Sequence, residues 1–190
     1  GSWTESTSYL REGFISTGGG DVSGEISPFF AINGGSVTLD SSISWIAALI
    51  SPTATNQAVF HIDSANPVAR KGDPAAGGGT FGTFLGVTNN GPRCLFRATL
   101  TGTGTSASTN EGLWSDRGTG VELVARKGTP LAGLPSGVTI KQFLNFALLG
   151  NGQVMVRCVF SGTGVKTTND NAVVIIPITG DASILLREGD

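Results

Sequence analysis

The chain has little charge and no run of one sign. Of its 190 residues 14% are charged, its 12 Lys and Arg residues are scattered, and its formal net charge is −2. Binding to nucleic acid phosphates needs clustered cations, so nucleic acid is not an expected partner. The sequence also lacks an apolar stretch of the roughly 18–20 residues that cross a bilayer, and it has no lipidation motif. We therefore expect no membrane span.

Histidine and cysteine are scarce, which argues against catalysis and metal binding. His61 is the only histidine. With Asp63 it could form a base and an orienting carboxylate, but catalysis also needs a nucleophile or acid and an oxyanion donor. One His and two Cys give no zinc-site spacing. We predict that the protein is not an enzyme and uses no cofactor or metal.

Glycine, by contrast, is abundant. The 29 glycines, with many Ser, Thr and Asn, separate short β-branched runs. This composition is typical of short strands joined by tight turns, and long helices are not expected. A surface poor in Lys and rich in Thr, Ser, Asn and Gly is common in bacterial extracellular proteins, so we expect a secreted protein. Gly1-Ser2 fits either a cleaved leader or an artificial start.

One short phrase recurs four times along the chain. Its arginines are 59, 56 and 61 residues apart, which is a period of the length of one supersecondary unit. Each arginine is followed two residues later by a glycine. The phrase comprises Arg11-Glu12-Gly13, Arg70-Lys71-Gly72, Arg126-Lys127-Gly128 and Arg187-Glu188-Gly189.

A longer phrase keeps the same period. Residues 89–114 overlay without a gap on residues 149–174, and this matches Arg97 to Arg157. On the same overlay Cys94 and Cys158 lie four places apart on equivalent strands of neighbouring units. That offset favours two separate buried thiols over a disulfide.

The first unit is more divergent. We interpret residues 32–40 as its equivalent turn and strand, with Asp40 where the other units carry arginine. Each unit then has four strands, A to D, in the ranges 14–73, 74–129 and 130–190, and an extra D-type strand precedes them within 1–13. The predicted strands are 26–32, 37–49, 58–62 and 67–70; 81–87, 94–100, 112–115 and 122–126; 140–148, 154–160, 172–176 and 183–187.

A four-stranded sheet of this size cannot bury both faces alone, so the copies must pack face to face. We predict an all-β fold of three tandem four-stranded antiparallel blades in a β-propeller-like arrangement. A pseudo-threefold trefoil or prism is the alternative. Three blades are too few to close a ring by ordinary propeller geometry, so we expect something further to complete the stack.

The strand order, with a turn at Asn89-Asn90-Gly91, resembles blades of WD-repeat and Tol-Pal-type propellers. More closely, the chain resembles tandem repeats of bacterial secreted proteins with the approximate signature N-D-x-G-Q-V-A-F-R-A, A-L-W and V-A-R-E-G-D. The resemblance covers nearly the whole chain, its motifs are structural, and it implies a propeller-type fold. The matching positions are Gly152-Gln153-Val154, Phe96-Arg97-Ala98, Gly112-Leu113-Trp114 and the four arginine phrases.

The periodic arginines are the first candidate site. A ring of guanidinium groups could bind carboxylates or sulfated glycans. Their periodicity favours a structural role, in which each arginine holds carbonyls or an acidic partner of the next blade. The arginines are Arg11, Arg70, Arg126 and Arg187, and the accompanying glycines Gly72, Gly128 and Gly189 have the same structural reading.

Three other features have a structural reading that we favour over a functional one. The Gly-Thr-Gly loops at 101–104 and 161–164 lack the Lys-Ser/Thr of a phosphate-binding loop, so we predict hairpin loops. Residues 169–171 (Asn-Asp-Asn) favour an Asx-type turn over a Ca²⁺ site. Trp3, Trp45 and Trp114 are expected to fill the core, and Trp45 could instead form a subunit contact.

The surplus D-type strand leaves an unpaired edge, and such edges are normally covered or paired. We therefore predict a structural module that self-associates through edge strands and blade faces, as a ring or a head-to-tail polymer. A fragment of a longer propeller and a propeller that binds carbohydrate or another surface ligand are the alternatives. The predicted assembly strands contain Tyr9, Leu10 and Arg11 at one end and Leu185, Leu186 and Arg187 at the other.

Overall fold

The chain folds into strands. The structure is a computed structural model that describes residues 32–37, 43–49, 52–61, 66–116 and 120–190. Within these ranges there is no helix, and so none that is long and apolar enough to cross a membrane. The strands are β1 Ile32–Val37, β2 Ile43–Ala48, β3 Gln57–His61, β4 Ala69–Arg70, β5 Thr80–Asn90, β6 Arg93–Thr101, β7 Glu111–Asp116, β8 Val121–Arg126, β9 Val138–Leu148, β10 Val154–Gly162, β11 Asn171–Ile176 and β12 Ser183–Arg187.

Each run of four consecutive strands forms one antiparallel sheet. Sheet 1 contains β1 to β4, sheet 2 contains β5 to β8 and sheet 3 contains β9 to β12, always in chain order. The all-β class and the four-stranded units are therefore confirmed, and the strands predicted for the second and third units overlap the observed ones. The extra strand predicted within residues 1–13, with Tyr9, Leu10 and Arg11, lies outside the described residues, as does Trp3.

The predicted register of the first unit is wrong. Residues Asn33-Gly34-Gly35, interpreted as a turn, lie inside β1, which pairs with β2 from Ile32 opposite Ala47 to Val37 opposite Ile43. The residue that takes the place of Arg97 and Arg157 is Ile46, not Asp40. Cross-strand pairing decides this, because Ile46 lies opposite Val59 as Arg97 lies opposite Leu113 and Arg157 opposite Val173.

Sheets 1 and 2 bury their facing surfaces in one aromatic-rich core. Ile46 and Val59 of sheet 1 belong to the same buried cluster as Phe81, Phe96 and Trp114 of sheet 2. The rings of Phe81 and Trp114 meet edge to face at 5.0 Å between centroids, and Trp114 Nε1 donates a hydrogen bond of 2.9 Å to Ala76 O. Trp114 thus fills the core between sheets, as expected. Full burial of one such ring stabilises the fold by about 2–3 kcal/mol.

Trp45 lies on the opposite face of sheet 1. It is 9% exposed and stacks on Phe60, with ring centroids 5.6 Å apart. Of the two roles predicted for it, burial within the chain is the one observed. Ala47, Leu49 and Ala58 complete this buried cluster.

Sheets 2 and 3 bury a second core between them. Leu95, Leu113, Val124 and Ala125 of sheet 2 contribute to it. The sheet 3 residues in the same cluster include Ile140, Phe143, Val154, Val156, Cys158, Phe160 and Val174. Successive copies of the unit therefore cover one another, which is the packing that the repeat predicts.

The two cysteines are buried free thiols, as predicted. Cys94 lies in the core between sheets 1 and 2, and Cys158 lies in the core between sheets 2 and 3. Burial raises the pKa of each thiol to about 12, because the thiolate would lose its solvation. A neutral thiol here behaves as a small apolar side chain.

Candidate functional site

Sheet 3 has one covered face and one open face. Along β10, Val154, Val156 and Cys158 are fully buried toward sheet 2, whereas Met155 and Arg157 alternate with them and are exposed. Side chains of neighbouring strands continue this outward surface, because residues paired across strands point to the same side of a sheet. We define the open face as Asn145, Ala147, Met155, Arg157, Val173 and Leu186, which are linked by strand pairing.

The open face matches a surface that is covered one unit earlier. Strand pairing equates its residues, in the same order, with Gly86, Thr88, Leu95, Arg97, Leu113 and Ala125 of sheet 2. Ala125 is 4% exposed, whereas Leu186 at the same position is 66% exposed. Likewise Leu95 is fully buried and Met155 is 36% exposed. The repeat positions that sheet 2 buries against sheet 3 are thus exposed to solvent in sheet 3.

Arg97 makes the principal polar contact on the covered face. Its Nη1 donates a hydrogen bond of 3.0 Å to the main-chain oxygen of Phe143 in β9. Its Nε lies 2.9 Å from Oε1 of Glu111 on the neighbouring strand, so the carboxylate holds the guanidinium in place. Beside it, the ring of Phe146 lies against Gly86, where a Cβ atom would be 3.3 Å from Cζ of the ring.

The open face carries an exposed counterpart of this arrangement. Arg157 stands at the position of Arg97, and Asn171 stands at that of Glu111. Asn171 Nδ2 donates to Asp170 Oδ1 at 2.9 Å and to Glu188 Oε2 at 3.1 Å. Asn145 replaces Gly86, and a cavity of about 270 Å³ opens between Asn145, Met155, Arg157 and Val173. A second groove, of about 230 Å³, is lined by Arg157, Leu186 and Glu188 among others.

The predicted assembly strand at the end of the chain borders this face. Leu185 and Leu186 of β12 are 57% and 66% exposed, the largest exposures among the big apolar side chains of the described residues. Arg187 is held by its own sheet: its Nε donates to Asn169 O at 2.8 Å and its guanidinium lies 5.8 Å from the Phe160 ring centroid.

The family of unknown function DUF7453 has a model that matches residues 3–190. The chain belongs to this family. No curated protein and no solved structure matches it. The description of the DUF7453 family assigns no activity to its members.

The periodic arginines of this family member hold loops of their own unit. Arg126 donates to the carbonyl oxygens of Thr109 at 2.7 Å, Gly77 at 3.0 Å and Gly104 at 3.1 Å. The expectation that these arginines hold carbonyls is correct for Arg126 and Arg187, but the carbonyls belong to the same unit and not to the next blade. Arg70 ends β4, and Arg11 lies outside the described residues.

The glycines of the arginine phrase have a steric role. Gly72, Gly128 and Gly189 have positive φ angles of 93°, 68° and 87°, a region that L-residues rarely adopt. A Cβ at Gly128 would collide with the main-chain oxygen of Ser108, and the other two glycines face the corresponding oxygens of Ala54 and Thr168. This close approach lets the loop between the second and third strands fold back on the phrase.

His61, the candidate for catalysis in the sequence, is buried and pairs with a serine. His61 Nδ1 lies 2.7 Å from Ser44 Oγ across β2 and β3, but Ser44 is fully buried and His61 is 5% exposed. Ser44 was not singled out from the sequence, and only strand pairing brings it to His61. Asp63 lies outside the described residues. No group of three His, Cys, Asp or Glu that could hold a metal is found in the part of the chain that the structure describes.

The loop candidates are turns. Thr105 N donates to Gly102 O and Val165 N donates to Gly162 O, so both Gly-Thr-Gly sequences form hairpin loops, as predicted. Asn169 Oδ1 accepts a hydrogen bond of 2.7 Å from Lys166 N, so the side chain closes the turn at residues 166–169.

A cleft of about 710 Å³, lined mostly by polar residues, lies where sheets 2 and 3 meet. Two lysines line it, Lys127 from the end of sheet 2 and Lys141 from β9. None of its lining residues is aromatic. The other polar residues that line it are Ser108, Glu111, Thr139, Gln142 and Ser161.

Proposed function

We propose that the protein is a non-enzymatic extracellular structural module that self-associates through the open face of sheet 3. One observation carries this proposal: the face of sheet 2 that bears Leu95, Arg97 and Leu113 is covered by sheet 3, and sheet 3 presents the same positions uncovered. An exposed apolar patch marks an interaction site, and methionine and arginine, both present on this face, are enriched in interfaces. The low share of charged residues supports an extracellular location.

We also propose that the three sheets are blades of an incomplete propeller. Each sheet faces the next one in chain order, and the first strand of sheet 2 contacts the first strands of both neighbouring sheets. This succession is expected of blades around a common axis, whose first strands are innermost. No sheet of the described residues covers the outward face of sheet 3, so a further sheet can be added there.

The occupant that we propose is a second copy of this chain, related by a two-fold axis. A head-to-tail copy would have to offer the opposite face of sheet 1, which bears Trp45 and Phe60. That face is already buried within the chain. Two open faces can still pair with each other.

The charges of the open face suit such a pairing. Arg157, Arg187 and Glu188 line the same groove. Arg187 is already bound to Asn169 O of its own sheet, and a two-fold axis through the groove brings Arg157 and Glu188 each toward the opposite charge of the second copy. At the position of Glu188 the second unit has Lys127, so the acidic residue occurs at the uncovered end of the stack.

Sedimentation equilibrium over a range of concentrations tests the proposal. The protein should associate to dimers at micromolar concentration. Leu186→Asp should abolish association, because it places a charge in the middle of the interface. The matched control is Leu85→Asp, which alters a residue that is 44% exposed on β5, away from the open face; it should associate normally. A wild-type protein that stays monomeric up to 1 mM (roughly the weakest specific affinities) contradicts the proposal.

The cleft between sheets 2 and 3 supports a second candidate function, the binding of an acidic saccharide. Lys127 uses one donor on Ala107 O at 2.8 Å, which leaves two of its three ammonium donors for a ligand. The charge of Glu111 is opposed by Arg97, so the two lysines dominate the cleft. Without an aromatic platform a neutral sugar lacks a stacking surface. Sulfate or carboxylate groups are the substituents that these lysines recognise.

Calorimetric titration with a sulfated disaccharide tests this second function. Lys127→Gln should weaken binding at least tenfold (on the order of one charge-assisted hydrogen bond). Lys71→Gln is the matched control. Lys71 of sheet 1 is equivalent to Lys127, but the residue of sheet 2 that is equivalent to Lys141 is Gly82, so the second lysine is missing between sheets 1 and 2. Equal binding of the unsulfated disaccharide, or no binding at all, contradicts an acidic-saccharide site.

A further inference from the structure

We infer that Arg157 is the specificity-determining residue of the open face, and that it recognises a main-chain carbonyl of an extended, bulged strand in the second copy. This inference rests on the proposed self-association. It adds what the partner must present to Arg157 beside the charge of Glu188: a free main-chain carbonyl oxygen.

Arg97 shows how an arginine at this position works. Its acceptor, the oxygen of Phe143, belongs to the main chain, so the contact does not depend on the identity of the partner's side chain. The acceptor lies at a bulge of β9, the edge strand of sheet 3 that meets sheet 2: Phe143 lies opposite Cys158 and Asn145 lies opposite Arg157, which leaves Leu144 as the extra residue. A bulge interrupts the ladder and frees main-chain groups for contacts outside the sheet.

The same bulge occurs in sheet 2. There Phe84 lies opposite Ala98 and Gly86 opposite Arg97, with Leu85 between them. At this bulge the main chain again meets the preceding sheet, because Phe84 N donates to Oε1 of Gln57 at 3.2 Å. In these two contacts, therefore, a polar side chain of one sheet binds the main chain of the next sheet at a bulge, and Asn90 Nδ2 likewise donates to Leu148 O, further along β9, at 3.2 Å.

A second copy offers a bulge of this kind at its exposed edge. In β12 the register shifts between Leu186, opposite Val173, and Ile184, opposite Val174, so Leu185 is the extra residue. β12 is the last strand of its sheet, and Leu185 is 57% exposed. In a two-fold dimer this bulge can approach Arg157 of the other copy.

The first sheet supplies the decisive variant. At the position of Arg157 it has Ile46, which is 1% exposed in the core between sheets 1 and 2. Isoleucine is thus compatible with this position of the repeat and with close packing against the next sheet. Arg157→Ile keeps the strand intact, makes the open face more apolar and removes only the donor.

Sedimentation equilibrium of wild type, Arg157→Ile and Arg157→Lys distinguishes two driving forces of dimerisation: a hydrogen bond from Arg157 to a carbonyl, and apolar burial alone. If Arg157 binds a carbonyl, Arg157→Ile should weaken dimerisation at least tenfold, because the acceptor is left buried without a donor. Arg157→Lys should fall between the two, since it keeps a donor but loses the planar geometry. Thermal unfolding of the dilute monomers should be unchanged in both variants, which separates this effect from misfolding.

Two outcomes overturn the inference, and they differ. If the wild type dimerises and Arg157→Ile dimerises as tightly or more tightly, apolar burial alone drives association, so the inference is wrong while the proposed function stands. If the wild type remains monomeric throughout, both the inference and the proposed function are wrong.

Discussion

The ring of Phe146 in sheet 3 lies directly over Gly86 in sheet 2, and at the equivalent position sheet 3 has Asn145. The absence of a side chain at residue 86 is therefore what lets the two sheets approach. Gly86→Asn should destabilise the fold by about 1–3 kcal/mol, because the new side chain enters a packed contact. Denaturant unfolding of the monomer measures this change.

Asn145→Gly is the matched control for that substitution. It makes the reverse exchange at the same repeat position, but on the open face, where Asn145 is exposed. It should change stability by less than about 1 kcal/mol, the usual cost of glycine in a strand. Similar losses in Gly86→Asn and Asn145→Gly would mean that the contact with Phe146 does not matter.

The Arg97 and Glu111 pair should be replaceable as a unit. Arg97→Ile alone removes the donor to Phe143 O and leaves the Glu111 carboxylate, whose side chain is 17% exposed, without its cation. We expect a loss of about 2 kcal/mol. The double variant Arg97→Ile with Glu111→Gln should recover at least half of it, because sheet 1 has Ile46 and Gln57 at these positions. A double-mutant cycle in urea measures the coupling.

Two other results of the Arg97 and Glu111 substitutions would contradict this expectation. Additive losses from the two substitutions would show that Arg97 and Glu111 act independently of each other. An unchanged stability in Arg97→Ile would show that the arginine has no part in the contact between sheets, and the role inferred for Arg157 would lose its precedent.

The repeat and most strands are predictable from sequence because their signals are local. Alternating residues of β10 and the glycine turns around them are sufficient to place the second and third sheets. The first sheet is different, because Gly34 and Gly35 look like a turn but lie in a strand. The pairing of β1 with β2 decides their place. No short stretch of the sequence predicts that pairing.

The candidate site was predictable in part. Leu185 and Leu186 belong to a strand that the sequence predicts as an assembly strand, and the structure leaves both exposed; assembly through them stays a prediction. The significance of Arg157 could not be derived, because it depends on which face of each sheet the next one covers. The partners of Arg126 were also missed: Thr109 and Gly77 are 17 and 49 residues away along the chain, and only the folded loop brings them together.

Gly128 should be the least replaceable glycine of the arginine phrase. Gly128→Ala forces a Cβ against the oxygen of Ser108 in addition to the positive φ of 68°. We expect a loss of about 3 kcal/mol or more. Gly104→Ala is the control, since its φ is 81° but the space around it is open, and the backbone term alone costs about 1 kcal/mol. Equal losses in thermal unfolding would contradict a steric role for Gly128.

The buried thiols should make the fold sensitive to alkali. Burial raises the pKa of Cys94 and Cys158 from 9.0 to about 12, so an unfolded chain loses these protons at lower pH than the folded one. Their contribution to stability is therefore complete below pH 9 and declines as the pH rises toward about 12. Denaturant unfolding between these limits measures the decline.

Repeat positions supply the control for the thiols. Val154 stands where sheet 2 has Cys94, and Ala98 stands where sheet 3 has Cys158. The variant Cys94→Val with Cys158→Ala should show a smaller decline of stability with pH. An unchanged decline would assign the alkaline sensitivity to other groups.

Met155 is the only methionine of the chain, and it lies on the open face at 36% exposure. The most direct measurement of the central claim is therefore the ¹³C-methyl NMR signal of labelled Met155, recorded as the protein is concentrated. If a second copy covers this face, the signal should move or broaden over the same concentration range in which light scattering records doubling of the mass. A mass that doubles while the Met155 signal stays unchanged, or a mass that never doubles, would contradict the account.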